Sequence, residues 1–538
     1  MADQPWWRRG AIYEIYVRSF QDADGDGVGD LAGVTERLDY LAWLGVAGIW
    51  LTPFYRSPMK DFGYDIEDYR DVDPLFGTLA DFDRLLSEAH RRDIRVIVDY
   101  VPNHSSDRHP WFLESRSSRD NPRRDWYFWR DAAPGASLPN NWLSLFGGPG
   151  WEWDEATSQF YLHTFLREQP DLNWRNPAVK AAMFDIARFW LDRGVDGFRI
   201  DVAAAVMKDP EMRDNPLRTD VPAARNWFGS EWAKQIHVND QAHPDVYGVW
   251  ADFRALVDGH GPGDRVTVAE VSHDPLERWA RFYGQQQDGV HMPFGFHLLR
   301  LDWNAERLRS VVDAVEAILP DGAWPNWVLG NHDQPRIATW VGPERARLAT
   351  MLLLTLRGTP TMYYGDELGM PDGPIPPERA RDPWEGNVAG LGRDPERTPM
   401  PWDATANGGF CRPEVEPWLP LGAAGAGIDV ATQSADPRSI LALTRELLRL
   451  RRVHEALATG TYRAVDDAPA GCYAYLREAA GQRLFVALNL SPARVVVPLP
   501  GTGRILVATG MDRDGVTGGD VEVESNEGIV VLVDKPRG

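Results

Sequence analysis

Short runs rich in Val, Ile, Tyr and Trp alternate along the chain with stretches whose apolar residues recur every three or four positions. The first kind reads as strands and the second as helices, so the alternation predicts βα units and a parallel sheet. AIYEIYV (11–17) is followed, after an acidic loop, by LAGVTERLDYLAWLG (31–45), expected to be one amphipathic helix. GIWLTP (48–53), TLADFDRLLSEAHRRD (78–93) and RVIVDYV (95–101) continue the pattern. In NPAVKAAMFDIARFWLDRG (176–194), Asn176 is placed as N-cap, Pro177 at the first helical position and Gly194 as terminator. That helix leads into VDGFRID (195–201), and RVTVAEV (265–271), VHMPFGF (290–296), PNWVLGN (325–331) and TPTMYYG (359–365) follow with helical patterns between them. DPRSILALTRELLRLRRV (436–453) supplies a final helix. Eight strand candidates, each followed by a helix candidate, fit a (β/α)8 barrel better than an open doubly wound sheet.

Two stretches break the alternation. Residues 104–174 are rich in Trp, Pro, Asn and Gly; a structureless loop of that length is improbable, so they are expected to form a small inserted domain after the third strand. After residue 455 the pattern changes to short alternating strands, TYRAV, CYAYLRE, RLFVALNL, ARVVVPL, RILVAT and GIVVLVD, the signature of an antiparallel unit. The expected organisation is a barrel over 1–103 and 175–455, an insertion over 104–174 and a C-terminal β-sandwich over 456–538.

Composition narrows the partners. Fifty-seven basic against 79 acidic residues give a net charge of −22, which repels nucleic acid and anionic membranes and suits a neutral or cationic partner. The start, MADQPWWRRG, has no apolar leader, and no uncharged run of about 18 apolar residues is present, so a soluble, cytoplasmic protein is expected, working as a monomer or homodimer. Cys411 and Cys472 are too few for a disulfide framework or a zinc site. The 23 Trp, 20 Phe and 16 Tyr are mostly core, yet aromatic rings also stack on flat sugar faces, which favours a carbohydrate partner.

In such a barrel the active site lies at the C-terminal strand ends. The fourth strand ends GFRID, where period two puts Arg199 and Asp201 on one side. The fifth ends with Glu270, the seventh runs into His332 and Asp333, and the third into Asp99, Asn103 and His104. A lone acid at a strand end is most often a cap or a surface charge; a set converging from four strands is not. Paired carboxylates across a scissile bond are what glycoside hydrolysis needs, one attacking and one donating a proton. A neighbouring carboxylate raises the donor's pKa, and Arg199 beside Asp201 is expected to keep that aspartate ionised.

The segments DYVPNH (99–104), QPDLN (169–173), GFRIDV (197–202), VAEV (268–271) and GNHD (330–333), from AIYEIYVRSF through RTPMPW (397–402) and into the β domain, resemble the α-amylase superfamily (glycoside hydrolase family 13), in its oligo-1,6-glucosidase and α-glucosidase branch. QPDLN is the segment that resembles this branch rather than the true amylases. The resemblance implies a retaining, exo-acting α-glucosidase for short neutral α-glucosides, with some transglucosylation. It implies Asp201 as nucleophile, Glu270 as acid/base and Asp333 as the third carboxylate. It further implies His104 and His332 on the same glucose ring, Arg199 orienting Asp201, and Asp61 anchoring the non-reducing end with Arg397 as its partner and Tyr64 as a stacking platform. Phe146, Phe165, Gln169 and Phe296 match positions that line the family's pocket. Val202, after the nucleophile, resembles enzymes that accept α-1,6 linkages, but a methyl group shifts discrimination by only about 1–3 kcal/mol, and linkage preference stays open.

Two rivals stand beside this reading. A trehalose synthase, isomerase or dedicated glucosyltransferase of the family would use the same triad; NHDQPR and RTPMPW look more like the hydrolases. A non-catalytic relative, like the amylase-fold subunits that escort transporters, would carry a membrane anchor and need no intact triad.

The loop QDADGDGVGD (21–30) places Asp22, Asp24, Asp26 and Asp30 at positions 1, 3, 5 and 9, with Val28 offering a carbonyl at position 7, as in a loop wrapping a hard cation. Position 12 is Gly33, so the bidentate glutamate of an EF-hand is absent. Ca²⁺ or Mg²⁺ in a structural role is expected, against the alternative of a plain Asp/Gly turn. No organic cofactor is expected.

Overall fold

A computed structural model describes residues 4–534 except 134, 136, 220–229, 262, 272–274 and 423–426. Eight parallel strands close into a barrel. They are β1 (Ile12–Ile15), β2 (Gly48–Leu51), β3 (Arg95–Tyr100), β4 (Gly197–Ile200), β5 (Val266–Ala269), β6 (Met292–Gly295), β7 (Asn326–Val328) and β8 (Thr359–Tyr363). Each falls within the apolar run that predicted it, because strands covered on both faces must be built almost wholly of apolar residues. The barrel is filled, with Ile12, Trp50, Ile97, Val268, Met292, Phe294 and Val328 packed inside it. A second, larger core lies outside, where the helices cover the strands. Seven tryptophans, Trp50, Trp142, Trp174, Trp190, Trp250, Trp279 and Trp327, are fully buried, so much of the aromatic excess is packing.

Local chemistry sets the helix ends. Thr78 and Asp81 form a reciprocal capping box for Leu79–His90, satisfying two backbone N–H groups that the first turn leaves over. Asn176 caps Pro177–Arg193 through Ala178 N, and Gly194 ends it at φ 100°, a conformation that glycine adopts without a Cβ clash. The expected helix over 31–45 is instead two, Leu31–Glu36 and Leu38–Leu44, broken at Arg37. There the Arg37 guanidinium lies 4.1 Å over Trp402 and its Nε donates to Gln21 Oε1 at 2.7 Å.

After β3 the chain forms the helix Pro110–Ser117 and a three-stranded antiparallel sheet of Trp129–Arg130, Gln159–Leu162 and Trp151–Asp154. The excursion is tied back by the fully buried Lys208, whose Nζ lies 2.9 Å from Asp171 Oδ2 and donates to Thr164 Oγ1 at 3.0 Å and Asn103 Oδ1 at 3.2 Å. The C-terminal part holds a six-stranded antiparallel sheet and a separate strand pair. Beyond the six runs legible in the sequence it includes two short strands, Gly515–Thr517 and Asp520–Val523, whose polar composition masks the alternation. Tyr475 OH and Thr355 Oγ1, 2.5 Å apart, pin this sheet to a barrel helix. Both cysteines are free and buried. Among the described residues no helix is long and apolar enough to cross a membrane.

Candidate active site

Strand register gathers the polar residues at one mouth. Arg199 is paired with Asp99 of β3 and Val268 of β5, and alternation turns Arg199 and Asp201 to the same side. Asp201 N bonds Tyr100 O and Glu270 N bonds Ile200 O, so both acids stand one residue past their strands, held by the continuing ladder.

One guanidinium joins them. Arg199 Nη1 donates to Asp201 Oδ1 at 2.7 Å and Asp99 Oδ1 at 2.9 Å, and Nη2 to Glu270 Oε2 at 2.5 Å. Arg199 is 1% exposed, a cation kept in the interior by three carboxylates. Arg199 therefore does not serve Asp201 alone, as the sequence suggested, but is shared. Burial raises the Asp201 carboxyl well above the ordinary range, with Glu270, Asp99 and Asp333 adding to it against Arg199. Burial likewise raises Glu270, and pushes Asp99 up to about 6 despite Arg199. Asp201 and Glu270 thus titrate as a pair that takes up one proton more readily than isolated carboxylates would.

Asp333 has the opposite environment. Burial would raise its carboxyl, but His332, Arg393 and Arg397 reverse this and hold it below the ordinary carboxylate range. Burial keeps His332 well below its usual value, so the two arginines carry the effect near neutrality. Arg393 Nη1 and Arg397 Nη2 donate to Asp333 Oδ1 at 3.0 and 2.8 Å. Unequal environments have separated one ionised acid from a proton-holding pair.

Asp61 lies behind this group, where Arg393 Nη2 donates to Oδ1 at 2.8 Å and Gln169 Nε2 to Oδ2 at 3.1 Å. The expected partner, Arg397, is engaged elsewhere, on Asp333 and on His332 O at 2.6 Å; the pairing is corrected to Arg393. Asp382 grips Arg393 from its other side, accepting from Nε and Nη2 at 2.8 Å each. Sequence reasoning missed both, because they sit in a polar loop with no period, and only the RTPMPW end of that loop carried the resemblance.

The remaining predicted residues have the following partners. His104 Nε2 lies 3.1 Å from Gln169 Nε2, and its ring is 5.0 Å from Phe165. Phe146 packs on Phe165 and Trp384. Tyr64 stacks on His332 at 5.4 Å and 10°, with its hydroxyl 2.7 Å from Nε2 and 3.1 Å from Asp99 Oδ2. Phe296 stacks on Phe294 at the end of β6. Val202 has φ 36°, the left-handed region that a β-branched residue occupies only under strain, and its N–H points at Glu270 Oε2, 3.3 Å away. A cleft of about 840 Å³ runs beside the aromatic wall, lined by Phe146, Phe165, Leu166, Trp232 and Val388; the carboxylates lie outside that lining.

In the first loop Asp22, Asp24 and Asp30 each offer an oxygen within 4.8 Å of the others. That spacing suits a hard cation held at about 2.3–2.6 Å. Asp26 lies outside this group, with Oδ1 accepting the Val28 N–H at 2.8 Å. Asp22 takes N–H bonds from Gly25 and Gly27, both at φ near 90°, so the glycines let the loop curl around the acids.

The comparisons agree with this geometry. The model of the α-amylase catalytic domain matches residues 14–460. A probable α-glucosidase of Rhizobium meliloti is 42% identical over 516 residues, covering 93% of this chain and 92% of that one. An oligo-1,6-glucosidase of Parageobacillus thermoglucosidasius is 36% identical, covering 93% and 92%. The crystal structure of an α-glucosyl transfer enzyme, XgtA, superposes with a TM-score of 0.93 at 40% identity, covering 99% of this chain and all of that one. Barrel, acidic mouth and matched segment together make this chain a member of the α-amylase family of glycoside hydrolases.

Proposed function

We propose that the protein is a retaining, exo-acting α-glucosidase that releases glucose from the non-reducing end of short α-glucosides. The observation that carries this reading is the single Arg199 guanidinium that donates to both Asp201 and Glu270 and so gathers the two carboxyls at one point of the mouth; retaining enzymes work with such a pair about 5–5.5 Å apart. Asp201 attacks the anomeric carbon and forms a glucosyl ester while Glu270 gives its proton to the departing glycosidic oxygen. Water then loses a proton to Glu270 as its oxygen displaces Asp201, and glucose leaves. Asp333, ionised between two arginines, holds the sugar hydroxyls, with His104 and His332 on the same ring. The Asp61–Arg393 pair closes the far end, which makes the action exo. Phe146, Phe165, Gln169 and Phe296 line the pocket, and Ca²⁺ or Mg²⁺ braces the first loop through Asp22, Asp24 and Asp30.

A second reading, glucosyl transfer or isomerisation, is favoured by the likeness to the α-glucosyl transfer enzyme; a sugar in place of water would take the same intermediate. Product time courses with maltose, isomaltose, sucrose and trehalose separate the two. Free glucose as main product with retained anomeric configuration is expected, and transfer products or isomers without much glucose would reverse the order. Asp201→Asn is expected to abolish turnover, and undiminished activity would remove Asp201 as nucleophile.

A further inference from the structure

Beneath His332 lies an acid that the reaction above does not use. Glu14 sits on β1, in register with Trp50 of β2 and Tyr363 of β8, and is completely buried. Its Oε1 stands 2.6 Å from His332 Nδ1 and accepts the His332 backbone N–H at 3.3 Å, while Oε2 has no hydrogen-bond partner among the described residues. Across the ring, Nε2 lies 2.7 Å from Tyr64 OH and 3.2 Å from Asp333 Oδ2. Stacking on Tyr16 and Tyr64 fixes the plane of the imidazole.

A neutral imidazole has one N–H, and which nitrogen carries it is decided by what the other one meets. With the proton on Nδ1, the Nε2 lone pair would face the ionised Asp333 oxygen at 3.2 Å and the Tyr64 hydroxyl at 2.7 Å, whose own proton goes to Asp99 Oδ2 at 3.1 Å, so acceptors would meet acceptors. With the proton on Nε2, the ring donates toward Tyr64 OH and Asp333 Oδ2, the side on which the proposed sugar site lies, and Nδ1 needs a donor of its own. Glu14 is the group placed there, and it can donate only as a carboxylic acid. We infer that Glu14 is a positioning residue which donates, as a protonated carboxyl, to His332 Nδ1 and so holds the ring proton on Nε2 for a hydroxyl of the glucoside. The bare Oε2 fits, because an unpaired neutral carbonyl oxygen is far less costly to bury than an unpaired charge. Burial raises the Glu14 carboxyl well above its ordinary range; Arg199 opposes this, and Asp333 and Asp99 add to it. His332 and Tyr363 face it as well.

The inference rests on His332 being a sugar ligand, as proposed above, and its test separates the two ideas. In full-length protein labelled with ¹⁵N-histidine, with His332 assigned by its loss in His332→Gln, the Nε2–H tautomer is expected. It should persist in Glu14→Gln, whose amide also donates, and shift toward Nδ1–H in Glu14→Met. In parallel, KM for maltose and Ki for glucose should weaken about three- to tenfold, the worth of one hydrogen bond, as pH rises through Glu14 ionisation. Glu14→Gln should rescue binding near neutrality and lose the alkaline weakening. An Nδ1–H ring in active wild-type enzyme, or the full alkaline weakening in Glu14→Gln, would overturn the role of Glu14 alone. Wild-type protein without glucosidase activity would overturn the proposed function and leave the tautomer result standing. If Glu14→Met does not fold, Glu14→Gln and the wild-type spectrum still decide.

Discussion

Arg393 Nη2 lies 2.8 Å from Asp61 Oδ1, and Nη1 of the same side chain lies 3.0 Å from Asp333 Oδ1. One planar fork thus spans two carboxylates from different loops, a geometry that a lysine's single ammonium cannot reproduce. Arg393→Lys is expected to raise KM for maltose roughly ten- to hundredfold, the worth of a charge-assisted hydrogen bond of ~1.5–3 kcal/mol, with a smaller fall in kcat. Steady-state kinetics check this; an unchanged KM would remove Arg393 from the sugar's blind end.

Arg199→Lys should act on chemistry rather than binding. Arg199 is the charge opposing burial at Asp201, so without its fork the aspartate ionises only at higher pH. Expected are a fall in kcat on the order of 10²–10³, as for loss of an oriented charge at a reacting centre, and an acid limb of the pH profile moved upward. An acid limb that stays in place would argue against the shared guanidinium.

Removing divalent cations should loosen the first loop, whose three grouped carboxylates then face one another without a counter-ion. The carboxylates proposed to be catalytic follow the ends of β4, β5 and β7, and the proposed chemistry routes no step through a metal. Chelation is therefore expected to lower the midpoint of thermal unfolding by several degrees and leave turnover at low temperature almost intact. Immediate loss of all activity with the fold preserved would contradict this.

The barrel was legible because burial on both faces favours apolar runs, as in GIWL of β2 and VTVA of β5. Asp201, Glu270 and Asp333 were legible because period two and strand-end placement are local rules. What escaped depends on chain segments far apart. Arg393 meets Asp61 across 332 residues, and nothing local to GLGRDPER marks it. Glu14 reads as one polar residue in an apolar run, and its contact with His332 spans 318 residues. At the break the Arg37 guanidinium lies over Trp402, a residue outside any helical window.

Buried acids away from the site should set the pH dependence of stability. Among the described residues Asp366 has no hydrogen bond on Oδ1, where Arg336 Nη1 stands 3.9 Å away. Burial pushes its carboxyl up to about 7, with Glu367 and Asp372 adding to it against Arg336. A carboxyl raised on folding holds its proton more tightly in the native state, so this group costs nothing below its ordinary unfolded value of about 4 and progressively more stability as pH rises toward 7. Asp366→Asn removes that cost. It is expected to raise the unfolding temperature by roughly a few degrees at pH 8 and by much less at pH 5. An equal shift at both pH values in thermal melts would refute the assignment.

The cations that compensate Asp61 and Asp333 come late in the chain. Asp61 follows β2 and Asp333 follows β7, yet both depend on Arg393, and Asp333 also on Arg397, in the loop after β8. A chain emerging from the ribosome therefore carries Asp61 and Asp333 without these cations until residues 393–397 have been made, well after the eighth strand, so the far end of the mouth is completed later than the Arg199 cluster on β4.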